Sequence, residues 1–345
     1  MNDETPAAAR RQHLLSGVRI VGTGSAVPSR LVTNADLERL MDTSDEWIVQ
    51  RTGIRERHMC DEAKGESTAS LATDATRRAL ESAGINATDL DLILCATMTP
   101  DMPTPSVASL VAHRIGAGQI GAMDICGACS GYVYAMNLAH AMLVAGPYRT
   151  IAVIGADCIT KFCDFSTYGR AVSVLFGDAA GACILRAGTD RSVGMITHAM
   201  RSDGGGSRHL FIPMRLDHFP DQSEAEERKL GCIQMHGAAV FKFAVNTFPD
   251  LIAETLDQAG LKAGDIDHFI CHQSNARILA AARDRFGIPE EKLFVNIDRF
   301  GNTVAASIPL ILDQLTRARR VRPGQRIMLL AFGAGLTWGS SLWQI

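Results

Sequence analysis

The sequence predicts an α/β fold made of two fused, topologically similar halves, and two observations predict it. Apolar runs with the length of buried strands alternate with helical patterns, which implies layered sheets with helices packed between and outside them. One helix–strand unit also occurs twice. Ala79-Leu-Glu-Ser-Ala-Gly-Ile-Asn-Ala-Thr-Asp-Leu-Asp-Leu-Ile-Leu-Cys-Ala96 reads as a helix, a glycine stop, a turn and a buried strand, and the stretch Thr255 to His272 has the same form 176 positions later. The same shift carries Pro147 onto Pro323, the strand Ile151 to Gly155 onto Ile327 to Ala331, and Val18 to Ile20 onto Gly194 to Ile196. A period this long excludes a solenoid. The halves are expected over residues 17–190 and 191–345.

Residues 1–16 are polar and Ala-rich, with paired Arg10 and Arg11 and no apolar centre, so a flexible tail is expected there and not a secretory signal. The remaining length suffices for two fused units of core. No apolar run is long enough to span a bilayer. A net charge of -3 offers no general attraction to nucleic acid or anionic membrane. The 9 cysteines are scattered without paired spacing, which suits a reducing cytoplasm better than a disulfide framework. Cys126 and Cys129 form a lone C-x-x-C with no second pair and no clustered histidine, so no metal site is expected.

Val18 to Val21 opens a buried strand that leads into Gly22-Thr-Gly-Ser-Ala-Val-Pro28. The third glycine of a dinucleotide fingerprint is missing and Pro28 stands where the helix should begin, so that reading is rejected. Asn34 to Met41 reads as a helix capped by Asn34. Ser44 and Asp45 then cap a short helix that carries Trp47 and Arg51 one turn apart.

Ile120 to Ile125 reads as a strand end that meets a turn of small residues, Gly127, Ala128, Ser130 and Gly131, followed by an apolar helix through Tyr132, Met136, Leu138 and Leu143. Cys129 therefore sits where a strand turns into a helix, against exposed N–H groups and the positive end of the dipole, which favour a thiolate. Two readings fit it, a nucleophile and a buried small residue. The repeat favours the nucleophile. Shifted by 176 positions, Cys129 falls on Ala305, just after Gly301-Asn-Thr303, and equivalent helix starts in two related halves can face each other. His272 ends the repeated strand, where α/β sheets gather their chemistry. A Cys, a His and an Asn thus converge.

Cys129 in its small-residue turn, His272-Gln-Ser-Asn275 and Gly301-Asn-Thr303 resemble the Cys-His-Asn triad of the thiolase superfamily. Within it they most resemble the β-ketoacyl-acyl-carrier-protein synthase III family. Further resemblance lies in Thr43 to Arg57, most selectively Trp-Ile-x-x-Arg-Thr-Gly-Ile, in Leu175-Phe-Gly-Asp178, and in Phe332-Gly-Ala-Gly-Leu-Thr-Trp-Gly339. It spans nearly all of the chain from Val18 to Ile345.

The resemblance implies a duplicated five-layer αβαβα thiolase-like fold in a homodimer. It implies a decarboxylative condensation of an acyl-CoA primer with malonyl-acyl-carrier-protein through acyl-Cys129, starting fatty acid synthesis. The acyl-CoA and the malonyl-carrier are substrates, and no cofactor is implied. His272 Nε2–H and the Asn302 amide would hold the enolate oxygen. Backbone N–H groups of Cys129 and of the Gly333-Ala334-Gly335 loop would hold the second oxyanion. Trp47 would stack on the CoA adenine with Arg170 on the ring's other face, Arg51 and Thr52 would contact the nucleotide, and Asn275 the pantetheine arm. Lys242, Arg277, Arg283 and Arg285 would dock an acidic carrier protein, although from pattern alone the three arginines equally fit a solvated helix face. Thr104 stands where acetyl-using relatives often place a Phe against the partner's acyl pocket, which implies room for branched or medium-length primers. Two rivals remain: a condensing or acyl-transfer enzyme of secondary metabolism on the same scaffold, and a non-catalytic acyl-CoA-binding protein, which would have no reason to gather all three triad members.

Overall fold

A computed structural model describes residues 15–219 and 229–345. The tail expected over residues 1–16 lies, except for Leu15 and Ser16, outside them. The first half contains β1 (Arg19–Ala26), β2 (Arg30–Thr33), α1 (Asn34–Glu38), α2 (Asp45–Thr52), β3 (Glu56–Met59), α3 (Thr68–Ala83), β4 (Leu92–Ala96), α4 (Val107–Ile115), β5 (Gly121–Ile125), α5 (Gly131–Ala145), β6 (Thr150–Asp157), α6 (Arg170–Ser173) and β7 (Ala179–Arg186). The second contains β8 (Gly194–Ser202), β9 (Leu210–Phe211), β10 (Gln234–Met235), α7 (Gly237–Ala259), β11 (His268–Cys271), α8 (Ala276–Phe286), α9 (Ile297–Phe300), α10 (Ser307–Arg317), β12 (Arg326–Gly333) and β13 (Thr337–Gln344).

The first sheet runs β1-β7-β6-β4-β5 and the second, from the matching edge, β8-β13-β12-β11. Senses match as well: β4 is parallel to β6 and β11 to β12, whereas β6/β7 and β12/β13 are antiparallel. Where the first sheet adds β5, the second has, among the described residues, a parallel bridge from Phe269 to Leu293. β6 is buried at every position, as a central strand covered on both faces must be.

The clusters of packed side chains define the layers. α5 and α10 lie between the sheets, since Tyr132, Met136, Ile308 and Ile311 share one core with Leu94 and Val153 of the first sheet and Ile270 and Leu329 of the second. The Ala-rich face of α3, with Val107 and Val111 of α4, covers the outside of the first sheet. Phe248 and Ile252 of α7, with Leu279 of α8, cover the outside of the second. The order is therefore αβαβα.

The first helix is shorter than the sequence suggests. It ends at Glu38 and is capped by Thr33, whose hydroxyl accepts from Asp36 N–H, so Asn34 is not the cap. Asn34 instead donates to Asp45 and to the Ile54 carbonyl. Ser44 caps α2 as expected, accepting from Trp47 N–H at 3.1 Å. Among the described residues no helix is long and apolar enough to cross a membrane.

Candidate active site

Each half makes the same local turn. Ala128 and Val304, 176 positions apart, have φ of 45° and 51°. That left-handed region is sparsely used by residues with a Cβ, and by a β-branched one least of all. Each starts a 3-10 turn, Ala128–Ser130 and Val304–Ala306, that feeds directly into a central helix, α5 or α10. The difference between the halves lies in what faces the next residue. In the second half, Ala305 N–H donates to Asp157 Oδ2 at 3.1 Å. The position 176 beyond Asp157 is Gly333, and a Cβ there would lie 2.9 Å from both Cys129 N and Cys129 Cβ. A glycine is therefore required. With no carboxylate opposite it, Cys129 N–H is left without a partner beyond its own residue among the described residues.

Cys129, His272 and Asn302 line one cavity of about 90 Å³, together with Phe176, Phe241, Asn275 and Gly333. All three are buried, at 7%, 1% and 6% exposure. Asn302 is held on three sides. Its N–H donates to Leu175 O at 2.8 Å, its carbonyl accepts from Gly177 N–H at 3.1 Å, and its Oδ1 accepts from Val304 N–H at 2.9 Å. The Asn302 Nδ2 hydrogens have no acceptor among the described residues. The His272 ring packs edge-on against Phe332 at 5.8 Å, and its Nδ1 lies 2.7 Å from Ser307 Oγ. Ser307 Oγ donates in turn to Val304 O at 2.6 Å. That carbonyl also accepts Ser307 N–H, so the hydroxyl can turn to Nδ1 without orphaning it. Neither Ser307 nor Phe332 is marked by residue type, and only the fold relates them to His272.

The electrostatics bear on one expectation. Burial, with the Asp157 carboxylate adding to it, pushes the Cys129 thiol up to about 12. The sulfur's own backbone N–H offsets this only in part, so burial of Cys129 works against the thiolate that a helix start favours. Burial likewise raises Asp157 to about 6 and lowers His272 to about 3, which keeps the imidazole neutral. Below its unfolded value of 6.5 the unfolded chain binds a proton that His272 in the folded chain does not, so this group's contribution to stability is lost as pH falls from 6.5 toward 3. Relative to His272→Gln, the wild type should lose about 2 kcal/mol of unfolding free energy between pH 7 and pH 5, read from urea midpoints. Parallel pH profiles would refute this.

A second, wholly apolar pocket of about 30 Å³ opens beside the same sulfur, walled by Met98, Ile159, Phe211, Ile212, Ile233 and Val304. Phe211, Ile212 and Ile233 belong to the 203–236 excursion, which carries no repeat signal in the sequence. Thr104 is exposed and lines neither cavity of its own chain.

At the cavity rim, Asn275 caps α8 through Arg277 N–H and donates to the Arg51 carbonyl at 3.0 Å, which ties α2 to the opening. The Arg51 and Arg170 guanidinium carbons lie 4.4 and 5.2 Å from the Trp47 ring centre. Arg170 also pairs with Asp42 at 3.4 Å. Thr52 departs from its expected role. It is buried, and its hydroxyl donates to Ile48 O and accepts from Ile54 N–H, closing α2. Arg277 lies over Phe241, and neither Arg277 nor Lys242 has an ion pair among the described residues. Arg283 and Arg285 pair with Asp284 at 3.2 Å and with Asp250 at 3.4 Å.

Residues 123–204 match the family model described as 3-oxoacyl-[acyl-carrier-protein (ACP)] synthase III, and residues 256–345 match the model of its C-terminal part. The β-ketoacyl-[acyl-carrier-protein] synthase III of Caldanaerobacter subterraneus subsp. tengcongensis is 42% identical over 323 residues, 94% of this chain and 96% of that protein. The crystal structure of a 3-oxoacyl-[acyl-carrier-protein] synthase III from Aquifex aeolicus VF5 superposes with a TM-score of 0.87 at 38% identity, over 95% of this chain and 100% of that one. The priming β-ketosynthase of the R1128 polyketide pathway superposes at 0.85 with 33% identity, over 95% of this chain and 96% of that one. Duplicated halves, a five-layer fold and likeness along almost the whole chain agree: this chain belongs to the 3-oxoacyl-[acyl-carrier-protein] synthase III family and is a thiolase-fold condensing acyltransferase.

Proposed function

We propose that the chain joins an acyl-CoA primer to malonyl-acyl-carrier-protein through an acyl-Cys129 intermediate, the step that starts fatty acid synthesis. One observation carries the residue assignment: a buried Cys129, whose N–H has no partner beyond its own residue among the described residues, shares one cavity with a neutral His272 and the free amide hydrogens of Asn302. The Cys129 sulfur attacks the thioester carbonyl while His272 Nε2 takes its proton and passes it to the departing CoA thiolate. Cys129 N–H and the Gly333-Ala334-Gly335 backbone hold the transient oxyanion.

Loss of CO₂ from the malonyl group then leaves an enolate, whose oxygen accepts from Asn302 Nδ2 and from His272 Nε2–H. Between the two half-reactions the imidazole exchanges its ring proton with solvent, losing it from Nδ1 and gaining one on Nε2, and Ser307 holds the Nε2–H tautomer by turning its hydroxyl onto the bare Nδ1. The enolate carbon attacks the acyl carbonyl, and Cys129 leaves as a thiolate that takes up one proton from solvent, the proton the overall condensation consumes. Decarboxylation itself generates the carbanion, so the reaction as proposed asks for no metal or cofactor.

Trp47, Arg51 and Arg170 are proposed to hold the nucleotide of CoA, with adenine replacing one guanidinium over the indole. Asn275 would guide the pantetheine arm by its position on the cavity wall. Thr52 acts by closing α2. Lys242 and Arg277, neither of them in an ion pair among the described residues, are the stronger candidates for docking the carrier protein. Arg283 and Arg285 would first have to release pairs worth no more than about 1 kcal/mol each. A homodimer working in a reducing cytoplasm completes the proposal, and it brings Thr104 of one subunit to the other's apolar pocket.

That pocket has room for about two or three waters. Intact-protein mass spectrometry with an acyl-CoA panel should show one acyl group per chain, best with short and branched primers and poorly with long ones. Malonyl-acyl-carrier-protein should discharge the adduct as a β-ketoacyl product. Turnover with acetyl-CoA far above every longer primer would overturn the Thr104 reading. An adduct that resists malonyl discharge would favour acyl transfer in secondary metabolism, the reading supported by likeness to the R1128 enzyme. No adduct at all would refute the covalent mechanism.

A further inference from the structure

We infer that Cys60, Cys158 and Asp178 form a binding site for a thiophilic divalent cation of the zinc class, separate from the Cys129 cavity. The three residues come from separate segments: Cys60 follows β3, Cys158 follows β6, and Asp178 precedes β7. Their sulfur and carboxylate oxygen atoms all lie within 4.8 Å of one another. A tetrahedral zinc ion with two thiolate ligands and one carboxylate asks for S–S and S–O separations of roughly 3.5–3.8 Å, so the three side chains need close by only about 1 Å. The donor set of two soft sulfurs and one oxygen is one that zinc or cadmium takes and magnesium does not. Water would complete the coordination.

The carboxylate is oriented the way a ligand is. Asp178 Oδ2 accepts from Cys60 N–H at 2.8 Å and from the Thr160 hydroxyl at 2.5 Å, and Oδ1 accepts from Thr160 N–H at 2.8 Å. All three donors are neutral, so they fix the group without cancelling its charge, and Oδ1 keeps a lone pair for a cation. There is also a route in. Cys60 is half-buried, and the three residues line a cavity of about 440 Å³ whose walls carry Glu62, Glu66 and Asp101 as well as Arg30 and Lys161. Binding would replace two thiol protons by one M²⁺, releasing both to solvent.

The site has no part in the condensation. Its ligands are absent from both cavities at Cys129. It would act as a clasp, joining the ends of β3 and β6 to the segment that carries Phe176 past Asn302.

The test uses the full chain with Cys129→Ala, which removes the nucleophilic thiol, titrated with Cd²⁺ after chelator treatment. One cadmium per chain should bind with an ultraviolet thiolate-to-cadmium band. Cys60→Ser and Cys158→Ser should each weaken binding by at least about 100-fold. Zn²⁺ should raise the melting temperature of the wild type and leave that of Cys60→Ser unmoved. Cys60→Ser, on the half-buried side, decides the matter if Cys158→Ser does not fold, and in the Cys129 background it should condense primers as the wild type does. The inference is overturned if the parent shows no band, or if its band survives Cys60→Ser unchanged. It is equally overturned if the two sulfurs are isolated as a disulfide that, once reduced, gives no band.

Discussion

Cys129→Ala is expected to carry no acyl group after incubation with any acyl-CoA, and its condensation rate should fall by at least about 10⁴-fold. Decarboxylation of the malonyl carrier should continue, because the groups proposed to hold the enolate, Asn302 and His272, are untouched. Product analysis separates the two: CO₂ and acetyl-carrier accumulate and the β-ketoacyl product does not. The variant should fold. Only one sulfur atom leaves a site already bordered by small residues, and the cavity left is worth about 1 kcal/mol. Cys126, three positions earlier and exposed, supplies the internal control. An adduct mapped to Cys126 in the wild type, or any adduct on Cys129→Ala, would refute the assignment.

Much of this site is legible in the sequence because a duplicated fold reports itself twice. The ends of α3 and α7, at Ala83 and Ala259, and of β6 and β12, at Asp157 and Gly333, keep the spacing of 176 in the structure. The opposition of Cys129 and the Asn302 loop follows from that spacing. It fails where one half has grown. β7 and β13 start 158 positions apart, at Ala179 and Thr337, because the first half places a long excursion after β6. That excursion carries Ile159, Arg170 and Phe176, and no internal copy exists from which to read its path.

Thr52 is placed at the nucleotide by resemblance alone, and nothing in its residue type shows that its hydroxyl is taken up by the backbone of its own helix. Arg57, at the end of the Thr43-to-Arg57 stretch, is fully buried, and its guanidinium donates to Asn34 Oδ1 and to Val174 O. Part of that stretch's resemblance is thus structural. The environment of Cys129 is just as hidden. The helix start is there, but desolvation depends on everything packed over the sulfur, and a local pattern holds no information about that.

Asn302→Ala should leave acylation of Cys129 by acyl-CoA within a few-fold of wild type and cut malonyl discharge by about 10²–10³-fold, the usual cost of one oxyanion donor. The split follows from the two ends of the amide. Oδ1 is spent on Val304 N–H at 2.9 Å, which braces a residue held at φ 51°; Nδ2 is the end free for substrate. Alanine removes both, so it should also destabilise the fold by about 1–3 kcal/mol by orphaning a buried donor. Asn302→Asp separates the roles. Its carboxylate still accepts from Val304 N–H, so stability should stay nearer wild type in a urea titration, yet it offers no hydrogen to the enolate and opposes its charge. Discharge by the Asp variant should be slower than by the Ala variant even though its turn is better held. If Asn302→Asp discharged malonyl-carrier faster than Asn302→Ala, the residue would act through the Val304 turn alone, and the enolate would have to be held elsewhere.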